Sequence, residues 1–287
     1  MYNINKMKKC KLLSATQVQK WLDLIDYLHR QAKTGCFVAC SGGIDSILLA
    51  IITHKILNKR CIIIHAISPA VPESDTNRVL ESSTLYQWNL IQTRTGEFEN
   101  EDYLRNPANR CYYCKTHLYK SISAIRSRMQ DFKYAAIFSG TNLDDLAEYR
   151  PGMQAANEYY VVHPYLEIGI SKNDIRSFVR CMGLSFSDLP ASPCLASRIY
   201  TGTRVTAERL KAIYYAESEL KKMTQFDVVR CRVRDNQMII ELKNDERARL
   251  QTEVIKNLKD LVTRKYPFIC NVILDDREYK PGHAFIR

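Results

Sequence analysis

The sequence predicts an α/β protein: a doubly wound parallel sheet followed by a second, smaller α+β domain. Three observations carry this. Short apolar, β-branched runs alternate with segments of helical periodicity as far as residue 190. One such run passes through the hexapeptide SGGIDS at 41–46 straight into a helical pattern. Beyond residue 190 the order becomes helix, strand, strand, helix, strand, which suits an α+β unit. The expected domains are therefore 1–190 and 191–287.

Taken in order, Val18, Trp21, Leu22, Ile25 and Leu28 recur at helical spacing and mark an amphipathic opening helix. CFVAC at 36–40 reads as a strand, and Ile44, Ile47, Leu48, Ile51 and Ile52 place a helix after it. CIIIHAI at 61–67 is apolar on both faces, as a buried parallel strand requires. Pro69 and Pro72 mark a loop. A helix is expected over 73–88, a strand over 89–95, a polar loop over 96–110, a helix over 112–128 and a strand over 134–139. Such βαβ units connect right-handed, and their ligands sit beyond the carboxyl ends of the strands. Ser171 and Asp174 have capping-box spacing ahead of Ile175, Phe178 and Val179. SDLPASPCLASRIYTG at 187–202 reads as a linker or an ordered site loop. A helix over 206–222, strands over 226–234 and 237–243, a helix over 245–264 and a strand over 268–275 complete the pattern.

The junction at 41–46 has the makings of an anion site. Glycine allows a positive φ and a close backbone approach, and the free N–H groups of a new helix point at the anion. It is not a Walker loop, since no lysine follows the glycines at that spacing.

Composition narrows the class. A chain of 287 residues with 46% hydrophobic and 25% charged residues reads as soluble and globular. No apolar run is long enough to span a bilayer, and the basic start MYNINKMKKCKLL lacks the marks of a signal peptide, so a cytoplasmic location is expected. The net charge of +11 suggests anionic partners: nucleotides, pyrophosphate or RNA. Of the ten cysteines, Cys36, Cys40, Cys61 and Cys270 stand in apolar segments and read as reduced core thiols. The six histidines, His29, His54, His65, His117, His163 and His283, show no metal spacing and read as structural or solvated.

The SGGxDS form resembles the pyrophosphate loop (PP-loop) of the ATP pyrophosphatase superfamily, whose members split ATP between the α- and β-phosphates and adenylate a substrate oxygen. The resemblance implies that Ser41, Gly42, Gly43 and Ser46 hold pyrophosphate and that Asp45 helps place Mg2+. Three further segments narrow it: NPANRCYYCK at 106–115, SGTNLDDLAEYRPG at 139–152 and PCLASR at 193–198. Together and in this order they resemble the LarE family over nearly the whole chain. Those are ATP-dependent sulfur transferases that make the nickel-pincer nucleotide of lactate racemase.

The resemblance implies that a carboxylate of a pyridinium dicarboxylate mononucleotide is adenylated and that sulfur displaces AMP, giving a thiocarboxylate. Cys194 would be the sulfur residue, with the Arg198 cation favouring its thiolate if the two meet. A lone C-x-x-C suggests a redox pair or half a zinc site. In the family, one type surrenders the sulfur of a single cysteine. The other adds a C-x-x-C, so that Cys111, Cys114 and Cys194 would hold a 4Fe–4S cluster with one iron open to hydrosulfide. Asn142, Asp144, Ser68 and Lys172 would line the ATP site, and Arg150 would bind a substrate phosphate. Arg230 and Arg232, at i and i+2 of a strand, share a face and suit a clamp on phosphate or carboxylate, with Glu241 opposite and Glu217 on the preceding helix.

The sequence departs from the family at Arg230-Cys231-Arg232-Val233-Arg234, which has an extra arginine and a cysteine, and in a loose fit over 279–282. The implied partners are a small nucleotide, sulfide or another sulfur donor, and further copies of the chain. A tRNA thiolase of the same superfamily, an amide-forming relative and a non-catalytic nucleotide module compete. The absence of an added RNA-binding domain and the whole-chain match speak against nucleic acid.

Overall fold

The protein is described by a computed structural model covering residues 4–147, 150–190, 192–280 and 282–284. Glu148, Tyr149 and Pro281, which belong to the 139–152 and 279–282 motifs, lie outside the described residues. In chain order the elements are α1 (Ile4–Lys9), α2 (Ala15–Gln31), β1 (Cys36–Ala39), α3 (Ile44–Leu57), β2 (Cys61–Ala66), α4 (Glu73–Tyr86), β3 (Asn89–Thr93), α5 (Glu101–Leu104), α6 (Arg110–Arg128), β4 (Ala136–Ser139), α7 (Gly152–Glu158), β5 (Val161–Val162), α8 (Pro164–Ile168), α9 (Lys172–Met182), α10 (Ala207–Thr224), β6 (Arg230–Arg234), β7 (Gln237–Glu241), α11 (Asn244–Arg249), α12 (Thr252–Lys265) and β8 (Asn271–Leu274). They divide into two compact units, Met1–Thr95 with Cys111–Ser192 and Gly96–Arg110 with Pro193–Arg287.

The first unit holds a five-stranded sheet in the order β3-β2-β1-β4-β5, parallel at every pairing. Strand alternation explains its two covered faces. Phe37, Ile62, Ile64 and Ile137 pack with Tyr119 and Ile122 of α6 and with Ala155 and Ala156 of α7. Val38, Ile63 and Phe138 face the other way, onto Trp21 and Leu24 of α2, Ile47 and Ile51 of α3 and Phe178 of α9. The chain leaves β1 for β2 on one side and returns at β4 on the other, so the carboxyl ends of β1 and β4 form the topological switch point.

The second unit holds a three-stranded sheet, β6 antiparallel to β7 and β7 parallel to β8. Arg230 pairs with Glu241 and Arg232 with Ile239. Among the described residues no helix is long and apolar enough to cross a membrane.

Several expectations are corrected. Residues 96–110 are not simply a loop: a 3-10 turn at Glu97–Glu99 precedes α5, whose N-terminal N–H groups at Asp102 and Tyr103 are capped by the Asn100 side chain. The helix expected over 245–264 is two. The buried Glu246 carboxylate accepts from the N–H groups of Asp227 and Val228, which fixes α11 against the entry to β6. A separate helix, α12, then buries Leu258 and Val262. A fifth strand, only two residues long, is invisible to periodicity. Cys270 is exposed rather than a core thiol, because it lies just before β8. Cys10 and Cys181, which no sequence pattern pairs, form a disulfide with Cα atoms 6.1 Å apart. The capping box at Ser171 and Asp174 is present, and Asp174 also accepts from Gln17 and Lys20 of α2.

Candidate active site

Six residues, Ser41 to Ser46, run from just past β1 into the first turn of α3 and build the candidate anion loop. Gly42 has φ +92°, a left-handed conformation that side-chain-bearing residues avoid. A Cβ there would lie 2.5 Å from the Asp75 carbonyl oxygen and 2.8 Å from its Cβ. Gly43 is the N-cap of α3 and has no side-chain cap. The Ser46 hydroxyl accepts from the Ser41 N–H at 3.1 Å and donates to the Gly43 carbonyl at 3.0 Å, bracing the loop from inside. This leaves helix N-terminal N–H groups at the switch point, which suits a polyphosphate.

The segment after β4 closes on the same helix start. Asn142 is buried and its side-chain oxygen accepts from the Asp144 N–H at 3.0 Å. Asp144 accepts in turn from the Lys172 N–H at 2.5 Å. The Lys172 ammonium meets both Asp45 oxygens, at 2.6 and 2.7 Å. Burial pushes the Asp45 carboxyl pKa up, Lys172 works against it, and Asp145 adds to it. Tyr165 donates to the Asp45 carbonyl at 3.1 Å. Arg150 pairs with Asp145 at 2.6 Å. Ser68 stands apart from this network, its hydroxyl accepting from the Ala70 N–H just past β2.

Cys111 and Cys114 lie one turn apart on α6, half-buried, while Cys194 is exposed ahead of a 3-10 turn at Leu195–Arg198. Gly152 packs on the first turn of α6; a Cβ there would meet the Lys115 side chain at 2.9 Å and the Cys111 carbonyl oxygen at 3.4 Å. Two of the motif segments thus touch. Among the described residues no group of three or more His, Cys, Asp or Glu side chains is gathered to hold a metal ion. Burial holds the Cys40 thiol up at about 11 and raises those of Cys61 and Cys231 well above the ordinary value, which keeps them protonated and unreactive.

The second unit grips the Cys194 loop by its carbonyl groups. Arg198 donates to the carbonyls of Pro193 at 2.5 Å and Cys194 at 3.1 Å, and pairs with Glu217 at 3.1 Å. Its guanidinium meets the carbonyls of the loop and is balanced by the Glu217 carboxylate. Arg232 donates to the Ser197 carbonyl at 2.9 Å and meets Glu241 at 2.7 Å. Arg110 donates to the Ala196 carbonyl at 2.9 Å. Asn106, in a left-handed conformation, donates to the carbonyls of Ile199, Tyr200 and Thr203 and accepts from Arg110. Arg230 stacks over the Tyr279 ring, with Arg232 near the same ring.

The structure thus joins Asp45 of the 41–46 loop to Lys172, Asp144 and Asn142, and sets Arg198, Glu217, Arg232 and Glu241 around the 193–198 loop. The sequence gives no role to Asn106 and Arg110, which hold the carbonyls of that loop. Those two stand inside a recognised motif, where the adjacent cysteines are the more conspicuous chemistry.

His163, at the carboxyl end of β5, supplies a pH prediction. Burial, with Lys115 nearby, holds its pKa down at about 4. The folded state then binds fewer protons than the unfolded state between that value and the ordinary 6.5. Stability is full above the unfolded pKa and falls as pH drops toward 4; between pH 7 and 5 the loss from this group is about 2 kcal/mol. Urea titrations of His163→Gln are expected to show that much less pH dependence than the parent.

No family model matches the chain. Over 251 residues it is 34% identical to the uncharacterized protein slr1717 of Synechocystis, covering 85% of this chain and 90% of that protein. It is 29% identical over 230 residues to the uncharacterized protein MJ0830 of Methanocaldococcus jannaschii, covering 79% and 86%. A pyridinium-3,5-bisthiocarboxylic acid mononucleotide synthase of Lactiplantibacillus plantarum is 27% identical over 207 residues, covering 71% and 73%. The chain belongs to the family of the Synechocystis slr1717 protein, and its likeness to the Lactiplantibacillus plantarum synthase supports the LarE family to which the motifs point.

Proposed function

We propose that this chain is an ATP-dependent sulfur transferase acting on a pyridinium carboxylate mononucleotide. The observation that carries the reading is the loop Ser41 to Ser46 at the β1/β4 switch point, with Gly42 left-handed and α3 beginning at Ile44. The name of the Lactiplantibacillus plantarum relative supplies the substrate class.

In the first step a substrate carboxylate oxygen attacks the α-phosphorus of ATP. The bond to the bridging oxygen breaks, and pyrophosphate leaves into the loop. The helix N-terminus and the Lys172 ammonium stabilise the charge that develops there. Mg2+, when bound with ATP, neutralises phosphate charge, and Asp45 is the carboxylate suited to it; Lys172 sits on that carboxylate in the free protein. In the second step a sulfur nucleophile adds to the acyl carbon, and AMP leaves with the C–O electron pair. Hydrosulfide gives the thiocarboxylate directly. The Cys194 thiolate gives a thioester, whose sulfur reaches the product only when a base removes the Cys194 Cα proton and the Cβ–S bond breaks, releasing the thiocarboxylate and leaving dehydroalanine.

Cys111, Cys114 and Cys194 have the donor chemistry for a 4Fe–4S cluster. Both steps above are written with this chain's own residues and sulfide, and neither is routed through a cluster. The test is anaerobic purification of the parent and of Cys111→Ala, Cys114→Ala and Cys194→Ala. Iron, acid-labile sulfide, visible absorbance and ATP conversion to AMP and pyrophosphate are measured on each. Iron and sulfide in the parent and in none of the variants, with the parent turning over repeatedly, supports the cluster. A cluster-free parent in which Cys194 loses the mass of hydrogen sulfide on turnover assigns the sulfur to that residue. A parent that makes no AMP in the presence of the mononucleotide overturns the proposal.

A further inference from the structure

Asp75 lies in the first turn of α4, 3% exposed, outside every role given above. Three contacts converge on it. Arg78 Nη1 donates to Oδ1 at 2.9 Å, and the same nitrogen donates to the Gly42 carbonyl at 2.5 Å. The Ser192 hydroxyl donates to Oδ2 at 2.8 Å. The Asp75 backbone is packed so tightly on Gly42 that no Cβ fits there. Gly42 is the left-handed residue of the anion loop, and Ser192 stands two residues before Cys194. One buried carboxylate thus holds both the loop that would receive pyrophosphate and the segment that leads into the thiol loop.

We infer that Asp75, with Arg78 and Ser192, is a positioning device linking polyphosphate occupancy of the 41–46 loop to the setting of the Cys194 segment. The inference rests on the proposed roles of that loop and of Cys194. The linkage has a physical basis. A polyphosphate draws on the N–H groups of the 41–46 loop. Any adjustment of Gly42 is carried through a shared guanidinium nitrogen to the carboxylate, and from its second oxygen to Ser192. Charge-assisted hydrogen bonds are directional enough to carry such a shift. A carboxylate that merely complemented the α4 dipole would need neither Gly42 nor Ser192.

The test uses the full chain and three variants, Ser192→Ala, Arg78→Lys and Asp75→Asn. Two quantities are read: KM and kcat for ATP-dependent thiocarboxylate formation, and the rate of Cys194 alkylation by iodoacetamide with and without Mg2+-pyrophosphate, followed by mass spectrometry. Ser192 is exposed, so its alanine variant folds. It is expected to keep the ATP KM within about twofold while kcat falls about tenfold, and to lose the effect of pyrophosphate on alkylation. Asp75→Asn and Arg78→Lys are expected to raise the KM as well. An alkylation rate in the parent that ignores pyrophosphate overturns the inference. So does a Ser192→Ala protein with the parent's kcat and response. Failure of the underlying reading has a different signature, a parent making neither AMP nor thiocarboxylate; the alkylation arm then decides the linkage by itself.

Discussion

Gly42→Ala is expected to raise the KM for ATP by about 100-fold, roughly 2.7 kcal/mol of lost transition-state and ground-state binding together. Two costs add. The φ of +92° is strained for alanine, by about 1–2 kcal/mol. The new methyl would sit 2.5 Å from the Asp75 carbonyl oxygen, which is backbone and cannot swing aside. The loop must therefore move, and with it the Gly42 carbonyl held by Arg78. Titration calorimetry with Mg2+-ATP measures the affinity, and urea unfolding separates it from a loss of folded protein. Gly43→Ala is the control. Its φ is −74°, and a Cβ there would meet only the Ser41 hydroxyl, at 3.7 Å, so its stability should change by less than about 1 kcal/mol. An unchanged ATP affinity in Gly42→Ala would mean that this loop does not hold the nucleotide.

The contrast between those two glycines shows what a sequence can and cannot disclose. That the run Gly-Gly opens a helix after a strand is visible in the pattern of Val38, Ile44, Ile47 and Ile51. Which glycine is indispensable depends on Asp75, far along the chain, arriving at the back of the loop. An Asp and an Arg three apart on a helix usually form an ordinary surface pair, so nothing in the sequence marks Asp75 and Arg78. The same holds for Asn106 and Arg110. Their partners are backbone carbonyls of residues 196–203, and a carbonyl has no sequence signature. The central strands are legible because both of their faces are apolar, and β5 is not, because Val161–Val162 is too short to show a period. Arg198 stands out by its place beside Cys194, but its contacts with the Pro193 and Cys194 carbonyls, the Ser197 hydroxyl and the Glu217 carboxylate have no sequence signature.

Glu241→Ala is expected to destabilise the second unit by about 3–5 kcal/mol, more than any single hydrogen bond in it would cost. Glu241 is fully buried and Arg232 is 3% exposed, so their contact at 2.7 Å is shielded from water. Removing the carboxylate leaves a guanidinium that can neither reach solvent nor lose its proton, and the Ser197 and Lys280 carbonyls it still meets carry no neutralising charge. Both tryptophans, Trp21 and Trp88, belong to the first unit, so their fluorescence is a poor reporter. Hydrogen exchange at the β6 and β7 amides reads the effect directly. The decisive comparison is the double variant Arg232→Met with Glu241→Leu. Replacing both partners by apolar groups of similar size removes the desolvation cost along with the attraction, so its stability should return to within about 1–2 kcal/mol of the parent. The proposed sulfur transfer should not return, because Arg232 also holds the Ser197 carbonyl in the loop that carries Cys194. A double variant that is both stable and active would reduce the pair to packing. One that is stable and inactive shows that a buried ion pair with little net value to folding is kept for the geometry it imposes on the thiol loop.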